Sequence, residues 1–149
     1  MFRFIPAKKS AVEYNNDGTS HVKEGKYELA IADFNSAIKI NAQFAVAYSN
    51  RGYSYLNQGK YALAIVDFNS AIKIDPQDID SFYNRGYAYK QEEKYELAID
   101  DYTTAINLNP QIDLVYFHRG ISYAKQGKYE LAIADYTSAI KINPQLAVV

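Results

Sequence analysis

The chain has 149 residues, a formal net charge of −1 and no cysteine. A chain of this length buries about 70% of its unfolded surface and can build one real core, while its evenly spread, nearly balanced charge gives no field to draw nucleic acid or an anionic membrane. The missing cysteines exclude disulfides, thiolate catalysis and cysteine-containing zinc sites, and a hydrophobic fraction of 48% with 15 tyrosines excludes disorder by low hydrophobicity.

Residues 1–10 match nothing later in the chain and read as an N-terminal flank. They lack the apolar run of a secretory signal, and no later stretch approaches the roughly 18 apolar residues of a membrane span. The expectation is a cytoplasmic protein with neither membrane nor nucleic acid among its partners. From Ala11 the chain divides into four units, 11–44, 45–78, 79–112 and 113–146, and residues 147–149 read as the start of a further copy. The clearest repeated stretch runs from Lys60 to Asp75. Its copies begin at Lys26, Lys94 and Lys128, so successive starts lie 34 residues apart.

Each unit has an apolar pattern of helical spacing, a break, a second such pattern and a stop. In the second half of unit two the apolar positions are Tyr61, Ala64, Ile65, Phe68, Ala71 and Ile72; in the first half they are Tyr48, Gly52, Tyr55 and Leu56. Each unit is therefore predicted to be an antiparallel helical hairpin. Gly25, Gly59 and Gly127 fall between the paired helices, where a positive φ ends the first one. Unit three has Glu93 there, so the same turn would force a non-glycine residue into the left-handed region. Asp75-Pro76, Asn109-Pro110 and Asn143-Pro144 stop the second helices, since a residue before proline avoids the α region. Unit one has Asn41-Ala42 instead.

Unit one departs in its first helix too, where Asn16-Asp17-Gly18 is a turn-forming sequence. Either the stack holds it helical or the helix is short and rearranged. A second regular feature is charged. Arg51, Arg85 and Arg119 recur in the first helices and Asp33, Asp67, Asp101 and Asp135 in the second, which suggests structural ion pairs. Two geometries stay open: Arg51 with Asp67 inside a unit, or Arg51 with Asp33 across a junction.

The period, with Tyr48, Gly52, Tyr55, Ala64, Phe68, Ala71 and Pro76 at their spacings, resembles the tetratricopeptide repeat. The same positions recur as Phe82, Gly86, Tyr89, Ala98, Tyr102, Ala105 and Pro110, and again from Tyr116 to Pro144. The resemblance implies an all-α chain, an α-solenoid of stacked antiparallel helix pairs wound as a right-handed superhelix. It also implies that the first helices line a concave face that binds peptides or helices of partner proteins. By register that face carries Asn50, Tyr53, Tyr83, Asn84, Tyr87, Phe117, His118 and Ile121. Tyrosine offers apolar area with a polar tip, and asparagine can bond a peptide backbone in both directions. The family's carboxylate-holding variant uses lysine, asparagine and arginine on successive first helices; here the matching places are Asn15, Thr19, Asn50, Asp80 and Asn84 or, one repeat later, Ser49, Tyr53, Asn84, Leu114 and His118, and only the asparagine of the middle helix, Asn50 or Asn84, fits in each set.

No polar capping helix follows the last unit, so Tyr136 and Ile140 are expected to be partly exposed, and the C-terminal repeat could stack on another copy to form a homo-oligomer. Neither His21 nor His118 has a second histidine at metal-ligand spacing on its own helix. No phosphate loop, nucleophile elbow or paired-carboxylate site is present. The expectation is a non-catalytic protein-interaction scaffold with no cofactor and no metal.

Overall fold

A computed structural model describes residues 7–148. The expected flank, 1–10, and the expected further copy, 147–149, therefore lie partly outside the described residues. Among the described residues there are eight α-helices and no strand: α1 (Ala11–Lys23), α2 (Tyr27–Ile40), α3 (Ala45–Asn57), α4 (Tyr61–Ile74), α5 (Ile79–Gln91), α6 (Tyr95–Leu108), α7 (Asp113–Lys125) and α8 (Tyr129–Ile142). Each odd-numbered helix packs antiparallel on the even-numbered helix after it, and each even-numbered helix then packs on the next pair.

Small residues let these helices approach. Ala64 and Ala71, with their copies Ala30, Ala37, Ala98 and Ala105, are fully buried, and Phe34, Phe68 and Tyr102 fill the space between them. Burying such a ring stabilises the fold by roughly 1.5–3 kcal/mol. The opposing surface must be flat: a Cβ on Gly86 would lie 2.9 Å from Tyr102 Cε1, and one on Gly18 only 2.6 Å from Phe34 Cε1.

Helix α1 is continuous through Asn16-Asp17-Gly18. Its start is fixed by a capping box, in which Glu13 N–H donates to Ser10 Oγ at 3.2 Å and Ser10 N–H donates to Glu13 Oε2 at 2.7 Å. Tertiary packing of Gly18 on Phe34 and a bond from Asn50 Nδ2 to the buried Asn15 Oδ1, 3.0 Å, override the local turn preference. Between paired helices, Gly25, Gly59 and Gly127 have φ of 72°, 71° and 74°, and Glu93 takes the same turn at φ 59°.

The second helices end alike with or without proline. Asn41 Oδ1 accepts from Gln43 N–H at 3.0 Å, and Asp75, Asn109 and Asn143 make the same bond to the residue two further on. After α8 the chain makes a short 3₁₀ turn, Pro144–Val148. Leu146 is half-buried there, Tyr136 is half-buried and Ile140 stays 39% exposed.

Candidate functional site: the concave face

Successive first helices touch one another, α1 with α3, α3 with α5 and α5 with α7, whereas successive second helices do not. The stack is therefore curved with α1, α3, α5 and α7 inside. Residues one turn apart on these helices face the hollow of that curve.

Between α3 and α5 lies an open hollow of about 430 Å³. Tyr53, Tyr83, Asn84 and Tyr87 line it, together with Leu56 and Asn57 and, from the second layer, Tyr61. Among the described residues none that borders it is charged. One repeat further on, a second hollow of about 250 Å³ is lined by Lys90, Gln91, Ile121 and Lys125 with Glu93 and Tyr95 from the turn and α6. Gln91 marks the partition, its Nε2 donating to Tyr87 Oη at 3.3 Å.

The eight residues expected on this face thus divide into groups. Four share the first hollow. Ile121 belongs to the second, and Phe117, 37% exposed, borders an apolar hollow at the end of the stack. Asn50 is half-buried and spends one donor on Asn15, at the edge of a separate depression bordered by Asp75, Asp78 and Asp80. Tyr61 was hidden from sequence reasoning because its own helix forms the outer layer; its position at the first turn of α4 brings its ring round to the hollow.

His118 is a floor residue rather than an open groove residue. Its ring lies among Tyr83 at 5.8 Å, Tyr87 at 5.5 Å, Phe117 at 5.5 Å and Tyr102 at 6.3 Å between centroids. Burial, with Lys90 beside it, pushes its pKa down to about 4, so the ring is neutral at pH 7. Lys90 Nζ sits 3.0 Å from His118 Nδ1 and 4.5 Å from the centre of the Tyr87 ring. Burial lowers the pKa of this lysine as well. Beneath them Tyr102 Oη is buried with no hydrogen-bond partner among the described residues, and burial raises its phenol above the usual range.

The arginines belong to the scaffold. Arg51 Nε and Nη2 bond Asp67 at 2.8 and 2.6 Å, and Arg85 with Asp101 and Arg119 with Asp135 repeat that fork inside their own repeats. The third nitrogen crosses the junction, from Arg51 to Asn35, Arg85 to Asn69 and Arg119 to Thr103, at 2.6–3.0 Å. Each guanidinium therefore ties two repeats together. Asp33 is the exception: among the described residues no arginine reaches it, and its Oδ2 meets His21 Nδ1 at 2.7 Å. The reason is local, because Asp17 stands where the other repeats have arginine and is itself paired with Lys9 at 2.5 Å. The recurring Asn35 and Asn69, two residues after each aspartate, carried a readable signal for the cross-junction bond.

Among the described residues no cluster of three or more histidine, aspartate or glutamate side chains is arranged to hold a metal ion, and no helix is long and apolar enough to cross a membrane.

No curated protein matches the chain. Among solved structures it is similar to MamA, with 20% identity, a TM-score of 0.86 and coverage of 93% of this chain and 81% of that one. It is similar as well to the Arabidopsis OM64 TPR domain, at 23% identity and a TM-score of 0.76 over 77% of this chain and 95% of the other. A third is the first TPR of Spaghetti (RPAP3) bound to the HSP90 peptide SRMEEVD, at 24% identity and a TM-score of 0.77 over 79% of this chain and 96% of that one. At these identities the likeness speaks for the fold. The TPR repeat model matches residues 18–59 and 52–92, and the tetratricopeptide repeat model matches 79–112 and 114–146. With nearly the whole helical stack covered by those models, the chain belongs to the tetratricopeptide repeat family.

Proposed function

We propose that the protein is a non-catalytic scaffold that binds a short segment of a partner protein across its concave face, centred on Tyr53, Tyr83, Asn84 and Tyr87. The observation that carries this reading is the hollow of about 430 Å³ that these side chains line without any charge. Phenol rings supply area that loses little entropy on binding, and Asn84 keeps donors and an acceptor for a peptide backbone. Asn50, Phe117, His118 and Ile121 flank that centre. The peptide-bound Spaghetti domain, which shares the fold, supports a peptide as ligand. We place the protein in the cytoplasm, a reading that cell fractionation would check.

The test is a selection of displayed random peptides on the full chain, followed by titration of the winners. Tyr53→Ala/Tyr87→Ala should weaken them at least about tenfold, equivalent to about 1.4 kcal/mol. Peptides that bind this variant as well as the parent would move the site off the concave face.

A second reading is self-assembly through the C-terminal end. The observation in its favour is an apolar hollow of about 170 Å³ bordered by Phe117, Tyr136, Ala139, Ile140 and Leu146, on the side of α8 equivalent to the one that α3, α5 and α7 cover on the earlier repeats. Mass that rises with concentration and returns to monomer in Ile140→Glu would establish it, and a concentration-independent monomer would remove it.

A further inference from the structure

We propose that the segment held by the concave face carries an acidic side chain, which Lys90 and Lys125 receive in the hollow between repeats three and four. The inference rests on the groove-binding reading above and names the chemistry of the partner. Its first ground is that Lys90 lacks a counter-charge. Among the described residues it makes no ion pair, and neither does Lys125. The neighbours of Lys90 Nζ are the neutral His118 ring and the face of Tyr87, both weak substitutes for a carboxylate around a half-buried ammonium.

The second ground is departure from the repeat. Side chains that build the solenoid recur with its period, as the arginine forks do. The position of Lys90 holds Val22, Leu56 and Ala124 in the other repeats, and that of His118 holds Asn16, Asn50 and Asn84. Two departures meet at one junction, 3.0 Å apart, facing the binding side. Neither recurs with the period of the fold.

The third ground is contrast between neighbouring hollows. Among the described residues the first is uncharged; the second has two lysines against one carboxylate, Glu93, which is exposed on the turn and pairs with neither lysine. A segment crossing both would place an apolar or aromatic side chain among Tyr53, Tyr83 and Tyr87 and a carboxylate on the lysines. Gln91, at the partition, is free on its oxygen side to take a backbone N–H between them.

The experiment uses the same displayed random peptides on the full chain, on Lys90→Gln/Lys125→Gln and on the exposed single change Lys125→Glu. The expected result is enrichment of Asp or Glu at one position about threefold or more, beside an aromatic or aliphatic preference, with affinity that falls as salt rises. In the double variant the acidic enrichment should vanish while the apolar preference stays, and Lys125→Glu should weaken the acidic peptides about tenfold. Selected peptides with no acidic position, or with one that survives both variants, would overturn the proposal and leave the groove reading standing. Peptides indifferent to Tyr53→Ala/Tyr87→Ala, or no binder at all, would overturn the groove reading and this proposal with it.

Discussion

At Glu93 the backbone does what glycine does in the other three turns, and the side chain makes no hydrogen bond that would compensate it among the described residues. Holding a non-glycine residue in that region costs about 1 kcal/mol. Glu93→Gly should accordingly raise the denaturation midpoint by the equivalent of about 0.5–1 kcal/mol, and a lower midpoint would show that the turn needs a side chain. Arg85 is at the opposite extreme. Its fork on Asp101, a carboxylate only 7% exposed, means that Arg85→Ala strands a buried charge and should cost roughly 3–5 kcal/mol in chemical denaturation. His118 makes stability depend on pH. Its folded pKa of about 4 lies below the ordinary 6.5, so the unfolded chain binds the extra proton in that window. The ring faces Lys90, Tyr83, Tyr87, Tyr102 and Phe117 and no acid among them, so its contribution is complete above pH 6.5 and is lost as pH falls towards 4. Allowing for solvent screening of a half-buried ring, the loss should be about 1–2 kcal/mol. His118→Asn, which restores the residue of the preceding repeat, should remove that part of the acid sensitivity when both proteins are melted at pH 7 and pH 4.5.

Among the elements, the second helices were the most legible, because alanines and one aromatic recur on a single face and nothing else fits the buried row. Their stops were read from proline, and the structure assigns the work differently. Repeat one lacks proline, yet Asn41 leaves the helix at φ −134° and ψ 96° much as Asp75 does at −126° and 95°. What all four stops share is the side-chain bond to the N–H two residues on. Pro76→Ala should then cost well under 1 kcal/mol, whereas Asp75→Ala should cost about 1 kcal/mol by thermal melting. Equal losses would return the stop to proline. Helix α1 shows the reverse limit of sequence reading. Asn16-Asp17-Gly18 argues for a turn on local grounds, and only the contacts of Asn15 with Asn50 and of Gly18 with Phe34, across 35 and 16 residues, decide for a helix.

For the whole molecule, the curvature of the stack was implied by the repeat, but the floor of its inner face was not. Register alone places His118 beside Tyr87 on an open surface; the rings that enclose it come from α5, α6 and α7 together, and such convergence has no sequence period. The same nearest-neighbour architecture governs how the molecule opens. Each repeat touches only the adjacent ones, so stability is a sum of repeat terms and junction terms, and an end repeat has one junction instead of two. The two ends are not equivalent. Repeat one is tied down by the capping box, Lys9–Asp17, Asn15–Asn50 and His21–Asp33, whereas α8 keeps Tyr129, Ile133 and Ile140 at 66%, 63% and 39% exposure. In this 149-residue chain, native-state hydrogen exchange should therefore show the amides of α8 opening at the lowest free energy of the eight helices, α1 and α2 higher, and α4 and α5 at the global value. Removing one junction bond should widen the gap: Arg119→Lys, which cannot hold Asp135 and Thr103 at once, should lower the opening energy of α7 and α8 while α1 to α4 stay unchanged. Uniform exchange energies from α1 to α8 would mean that the stack opens as one unit and that the junctions outweigh the repeats.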